Sequence, residues 1–299
     1  MGPYIFENLS ELIGSRIVVV GVGNSGKNII NCMIKDKLSG VEFIIANTDI
    51  DNGYEDLRST LKGAALVIIV VGLGGATGTY AAATIAKIAK DVALLTICVV
   101  SKPFCFEDER RLYVAEEGLE ILKIIADSVV LIPNNKLLPN IDIKFESIEC
   151  FHNVDSAFAR VINGISRVIL PSSENDISLD FFDLQVIMHR GGIATVGIGV
   201  YQGVDAACKA INNATIFAMV DGIFIQEDSA VLVHFHIHPE FHYKDISVAM
   251  EVLQQSLEEG AEVVFGTTTD KSLPLDYVSV IIIGSGVERR ELMAVNNVF

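Results

Sequence analysis

The chain has 299 residues, 51% hydrophobic and 20% charged, enough for two domains of ordinary size with substantial apolar cores. Its formal net charge of −16 works against sequence-independent binding to nucleic acid or to an anionic membrane, since both reward positive charge. The five cysteines are odd in number and mostly set inside apolar segments, which predicts reduced thiols in a cytoplasmic protein rather than a disulfide frame.

Met1 to Glu11 mixes polar and apolar residues, unlike a secretory signal, and no apolar run reaches membrane-spanning length, so direct membrane insertion is not expected. Arg16 to Val20 forms a short buried strand. It runs into Gly21-Val22-Gly23-Asn24-Ser25-Gly26-Lys27-Asn28 and a helix from Ile29 to Lys37. Gly21, Gly23 and Gly26 satisfy G-x-G-x-x-G between a strand and a helix. A second strand, Val41 to Ala46, ends at Asn47-Thr48-Asp49, where an acidic residue suits the ribose position of a dinucleotide fold. Alone, these residues favour a Rossmann-type enzyme using NAD.

The next strand, Ala65 to Val71, is a continuous apolar run of the kind buried on both faces of a parallel sheet. Gly72-Leu73-Gly74-Gly75-Ala76-Thr77-Gly78-Thr79 follows it, then an alanine-rich helix from Ala81 to Lys90. Strand, glycine turn and helix N-terminus make a phosphate site: N–H groups converge, the helix dipole adds positive charge, and glycines let the backbone approach. The dinucleotide fingerprint needs no such second loop. No histidine precedes His152, which leaves an NAD enzyme without a convincing catalytic group in the first half.

Strands Leu94 to Val100 and Ser128 to Ile132 flank a helix from Leu112 to Ile125. Five strand-to-loop junctions of parallel character predict a doubly wound α/β fold with its site at the carboxyl ends of the strands. Phe151 to Leu170 forms one long amphipathic helix. Beyond the loop Pro171 to Leu179, strands Gly192 to Gly199, Ala230 to Ile237, Glu262 to Thr267 and Tyr277 to Gly284 alternate with helices Ala206 to Ala214 and Ile246 to Leu257. The expected division is a nucleotide-binding domain over 1–150, a central helix and loop over 151–179, and a smaller α+β domain over 180–299.

Gly74 to Tyr80 resembles the tubulin signature loop, most closely its FtsZ form, Gly-Gly-Gly-Thr-Gly-Thr-Gly, with Ala76 and Tyr80 in place of glycine. Gly21 to Asn28 resembles the family's first nucleotide loop, with Asn24, Ser25 and Lys27 departing from it. Lys102-Pro103-Phe104-Cys105-Phe106-Glu107, with Arg111, resembles its Lys-Pro-Phe-x-Phe-Glu-Gly-x-x-Arg loop, Asp108 replacing glycine. Pro133 to Leu138, Asn163-Gly164-Ile165, Gly266 to Asp270 and Gly284-Ser285-Gly286 also match, while Asp49 to Lys62 is shorter than the family's stretch.

The resemblance implies a GTP-binding protein that assembles head to tail with itself and hydrolyses GTP with Mg²⁺ at subunit junctions. Cell division would be its setting, with division proteins or FtsZ itself as candidate partners. It implies that Gly23, Asn24, Ser25, Gly26, Lys27 and Asn28, with Gly74, Gly75, Ala76, Thr77, Gly78 and Thr79, cradle the phosphates of GTP or GDP. Glu107 and Arg111 would contact ribose or base, Phe151 would stack on guanine, and Asp155 would accept from it. Plainer roles exist: an i, i+4 ion pair for Glu107 and Arg111, a solvent-facing Lys27, and core packing for Phe151. Asp180 and Asp183 resemble the family's catalytic acids, with Ser178 replacing asparagine, and Asp180 is equally suited to cap a helix. A helix of roughly twenty residues spans about 30 Å, so these acids would act on a neighbour's nucleotide. His234, His236 and His238 share one strand face; the family has no metal there, and an interface or solvated face is expected rather than a zinc or nickel site. Ala76, Tyr80, Lys27 and Ser178 also motivate an alternative: a divergent FtsZ-like scaffold that binds nucleotide with little or no hydrolysis.

Overall fold

The computed structural model describes residues 16–35, 40–46, 54–132, 134, 147–169, 176–218, 230–257 and 260–287; within the long helix, side chains are described from Val154 onward. Asn47-Thr48-Asp49 and the Phe151 side chain therefore lie outside the described residues.

Five strands of the first half, β1 (Ile17–Val22), β2 (Val41–Ala46), β3 (Leu66–Gly72), β4 (Leu95–Ser101) and β5 (Ser128–Ile132), are parallel. They alternate with α1 (Gly23–Lys35), α2 (Tyr54–Leu61), α3 (Ala76–Val92) and α4 (Glu109–Ile125). β3 and β4 are buried nearly end to end, as their largely apolar sequences require. One face of the sheet packs Ile68, Val70, Ile97 and Val99 under α1 and the long helix α5 (Ser147–Ile169). The other face packs Val67, Ile69, Val71 and Cys98 under α3 and α4. This alternation along single strands is the period-2 pattern of side chains.

In the second half, α6 (Phe181–Met188), β6 (Ile193–Gln202), α7 (Ala206–Ala218), β7 (Ala230–Ile237), α8 (Tyr243–Ser256), β8 (Glu262–Thr269) and β9 (Tyr277–Val287) follow. β6 pairs parallel with β5 through Val129–Ile193 and Val130–Ala194, so the described strands form one mixed, mostly parallel sheet, ordered β2-β1-β3-β4-β5-β6-β9-β7-β8. A third core, with Phe235, Val280 and Ile282 at its centre, lies under α7 and α8.

The expected strands fall within two residues of those observed, except that β6 and β9 each run three residues further at the carboxyl end, to Gln202 and Val287. Several helices start earlier than expected: α3 begins at Ala76, inside the glycine run, and α5 begins at Ser147, while α7 begins at Ala206 as expected. Glycine and threonine are poor helix formers, so periodicity picks up the helix only at its alanines. α2 was not expected at all; its residues are mostly polar, and Leu57 and Leu61 anchor it in the core.

Candidate functional site

The carboxyl ends of β1, β3, β4 and β5 open into a cavity of about 440 Å³. Two strand-to-helix turns form one wall. At the first, a Cβ on Gly26 would lie 2.6 Å from the carbonyl carbon of Gly21 and 2.7 Å from the Val70 carbonyl oxygen. Only glycine lets α1 start this close to β1 and β3, which brings the first turn of α1 against the cavity. At the second, Gly74 has φ +101, and a Cβ there would meet Pro103 Cγ at 2.6 Å and the Arg111 carbonyl oxygen at 2.9 Å. Gly75 is the N-cap of α3, so Ala76 to Gly78 are its first turn and their N–H groups lie among a helix's free donors. Added Cβ atoms on Gly75 and Gly78 meet nothing within 4 Å; both face open space in the cavity wall.

The opposite wall carries Lys102, Pro103, Glu107, Arg111, Asn134 and, from α5, Val154, Asp155 and Phe158. Glu107 accepts from the Phe104 N–H at 2.8 Å and pairs with Arg111 at 2.8 Å. The i, i+4 ion pair is therefore present, and both members line the cavity. Lys102 is held by Glu116 at 2.6 Å. Asn134, only 9% exposed, donates through Nδ2 to the Lys102 carbonyl at 2.7 Å, and its Oδ1 has no partner. Sequence reasoning did not single out Asn134; its match to the family's Pro-Asn turn was the available signal.

Of the phosphate-loop residues named from sequence, Gly23, Asn24, Ser25, Gly75, Thr77 and Gly78 line the cavity. Gly26 is buried beneath it. Lys27, Asn28 and Ala76 are exposed and do not line it. Thr79 is fully buried, and its Oγ1 accepts the Gly74 N–H at 3.1 Å, which staples the loop shut from behind. A Cβ on Gly118 of α4 would meet Thr79 Cγ2 at 2.0 Å, so Gly118 keeps the space that Thr79 fills.

Three departures from the FtsZ pattern have local structural roles. Ser25 Oγ accepts the Gly72 N–H at 2.9 Å, tying α1 to the end of β3. Asp108 caps α4, its carboxylate accepting from the Arg110 N–H at 3.0 Å. Tyr80 donates through its hydroxyl to Glu117 at 3.1 Å, joining α3 to α4.

Asp180 and Asp183 are not in the cavity. They form a reciprocal capping box at the start of α6, each carboxylate accepting the other's N–H at 2.9 Å. Gln185 donates to the Leu94 carbonyl at 3.3 Å, and His189 Nε2 lies 3.5 Å from Asp127. Leu94 and Asp127 immediately precede β4 and β5, so α6 is fastened to the amino ends of the strands. Seven residues of strand span about 23 Å. The acids, two and five residues from Gln185, therefore lie at the opposite end of the sheet from the cavity.

His234 is buried and bonds Thr268 Oγ1 at 2.9 Å. His236 contacts the Arg167 guanidinium of α5, with Asp270 3.7 Å away. His238 lies past the strand end, where its Nδ1 accepts the Glu240 N–H at 3.1 Å. Burial pushes the His234 imidazole down to about 4, aided by neighbouring His236. Burial does the same at His236, also to about 4, aided by the Arg167 charge. Among the described residues no group of three or more His, Cys, Asp or Glu side chains is placed to hold a metal ion.

The description "Tubulin/FtsZ family, GTPase domain" matches residues 44–142, and "FtsZ family, C-terminal domain" matches residues 192–288. The cell division protein FtsZ of Helicobacter pylori is 34% identical over 312 residues, covering 92% of this chain and 80% of that one. Its counterpart in Neisseria meningitidis serogroup A is 32% identical, covering 96% and 82%. Among solved structures, an empty FtsZ dimer from M. jannaschii superposes with a TM-score of 0.80 at 24% identity, covering 95% of each chain. CetZ2 from Haloferax volcanii, solved as a GTPγS-bound protofilament, superposes at 0.71 with 19% identity, covering 92% and 94%.

Proposed function

Because the chain belongs to the FtsZ family, we propose that it binds GTP in the cavity, assembles head to tail, and hydrolyses GTP where one subunit meets the next. The observation that carries this reading is polarity: the cavity opens at the carboxyl ends of the strands, and Asp180 and Asp183 lie at the amino ends. A subunit stacked on its neighbour brings acids to a cavity that its own acids do not reach. The backbone N–H groups of Asn24, Ser25, Thr77 and Gly78 hold the phosphates, which suits a chain whose net charge is −16. The free space over Gly75 and Gly78 and the unpaired Oδ1 of Asn134 fit a ligand with acceptor oxygens at one end and hydroxyls farther along.

The incoming carboxylates orient the attacking water, a role that needs position and charge more than covalent chemistry. Mg²⁺ bound with the triphosphate would supply partial neutralisation of its charge, the positively polarised first turns of α1 and α3 contributing the rest. Exposed apolar side chains at both ends support stacking: Phe182 and Val186 on α6, and Phe106 and Tyr113 beside the cavity. The CetZ2 protofilament supplies a precedent for such stacking in a protein of this fold. Cell division is the process its curated relatives are named for, and it is the setting proposed here.

A second reading keeps assembly and drops most of the chemistry. The capping box engages one oxygen of each acid, and Asn-to-Ser replacement at Ser178 alters the loop beside them. Denaturing purified protein and identifying the released nucleotide tests the cavity, and guanine nucleotide is expected. Sedimentation with GTP and Mg²⁺, against GDP or EDTA, tests assembly; equal pelleting in all conditions contradicts nucleotide control. Phosphate release from the sedimented polymer separates the two readings.

A further inference from the structure

We propose that Gly266 and Thr267 of β8 are positioning residues for hydrolysis: they hold residues 177–179 in place and thereby aim the carboxylates of Asp180 and Asp183 that a subunit presents to its neighbour. The proposal rests on the shared-site reading above.

Two hydrogen bonds join Thr267 to the residue three positions before Asp180. The Ile177 N–H donates to Thr267 Oγ1 at 2.9 Å, and the Thr267 N–H donates to the Ile177 carbonyl at 2.9 Å. Thr267 is fully buried, so water competes poorly for its hydroxyl. Gly266 makes the close approach possible. A Cβ there would lie 2.5 Å from Leu179 Cγ and 2.8 Å from the Ile177 carbonyl oxygen. The requirement is for space, because the backbone at Gly266 is not left-handed. Leu179 packs in turn against the core beneath α5. Asp180 is the next residue, and it caps α6.

The acids are thereby held from both sides. Behind them, α6 is fastened through Gln185 to the Leu94 carbonyl and through His189 to Asp127. Ahead of them, β8 fixes the chain at Ile177 and Leu179. With the hold at Ile177 lost, the capping box keeps its two internal bonds, but the start of α6 is free to shift as a unit. Orienting a water for attack is sensitive to such a shift, since a misplacement of about 1 Å can cost roughly a hundredfold in rate. The cavity lies at the other end of the sheet and is untouched, so the defect falls on turnover and not on nucleotide affinity.

GTP turnover by sedimented polymer tests the assignment. Thr267→Val keeps the size of the side chain and removes the acceptor for the Ile177 N–H. It is expected to slow turnover about tenfold or more while GTP affinity, by calorimetry, stays unchanged. Thr267→Ser keeps the hydroxyl and is expected to retain most of the turnover. Mixing supplies a readout that a general loss of stability would not give. Gly75→Leu offers intact acids and a blocked cavity, so Thr267→Val is expected to regain turnover when mixed with it, and not when mixed with Asp183→Asn. Gly266→Ala crowds Leu179 and the Ile177 carbonyl; it is expected to behave as Thr267→Val does, and it carries the same comparisons if the valine variant does not fold. Unchanged turnover in Thr267→Val, an equal loss in Thr267→Ser, or no recovery with Gly75→Leu overturns the proposal. Recovery of Asp183→Asn by Gly75→Leu in the same experiment leaves the shared-site reading standing in each of these cases, whereas failure of that control mixture overturns the reading and this proposal together.

Discussion

Thr79 illustrates how a signature residue can serve a ligand without facing it. Its hydroxyl accepts the Gly74 N–H, and its methyl group fills the space Gly118 leaves on α4. Gly118→Ala drives a methyl to 2.0 Å from Thr79 Cγ2 and is expected to cost about 1–3 kcal/mol in urea denaturation. Thr79→Ser removes that Cγ2 while keeping the hydroxyl, so the double variant is expected to regain most of the loss; a double variant no more stable than Gly118→Ala would contradict the contact. The glycine loop was legible in the sequence because glycine and threonine spacing is a local signal. The Thr79–Gly118 fit was not, because it depends on two helices meeting 39 positions apart. Asn134 was hidden for the same reason: its amide is aimed by a carbonyl 32 positions away.

At the scale of the element, α6 has a structural and a functional claim on the same two carboxylates. Asparagine caps helices about as well as aspartate, whereas alanine in place of aspartate costs about 1 kcal/mol. Asp180→Asn is therefore expected to leave the melting temperature nearly unchanged and to slow GTP hydrolysis at least tenfold, while Asp180→Ala lowers both. Hydrolysis unaffected by Asp180→Asn would leave that carboxylate with its capping role alone. β7 gives a second element-scale prediction. His234 and His236 have folded-state values of about 4, below an unfolded value near 6.5. Unfolding therefore takes up protons between these limits, so the stabilisation is full above about pH 6.5 and is lost as pH falls toward 4. The loss at pH 4.5 is about 2 kcal/mol for each histidine. Denaturation of His236→Gln at pH 7.5 and 4.5 is expected to show a correspondingly smaller pH dependence than the wild type, and an identical dependence would contradict the assignment. The strands of this half were legible from their apolar runs. The starts of α3 and α5 and the whole of α2 were not, because tertiary packing and capping overrode weak local propensity.

Across the whole molecule, the sheet acts as a spacer with a cavity at one end and acids at the other. Parallel strands could be expected from their continuous apolar runs, and their carboxyl ends mark where a ligand binds. The parallel β5–β6 pairing that joins the two halves rests on contacts between residues 64 positions apart, which no local pattern specifies. The Gln185–Leu94 and His189–Asp127 contacts fasten α6 at the far end. The central claim is that a complete hydrolytic site needs two subunits. Asp183→Asn retains the cavity and loses an acid. Gly75→Leu retains the acids and projects a side chain into open cavity space, where an added Cβ meets no neighbour. The most direct measurement is GTP hydrolysis in mixtures of these two variants across a range of ratios, with co-assembly verified by sedimentation. The shared-site account predicts a maximum near equal proportions that exceeds the summed activities of the separate variants. Activity that never rises above that sum, in mixtures that do co-assemble, would contradict it.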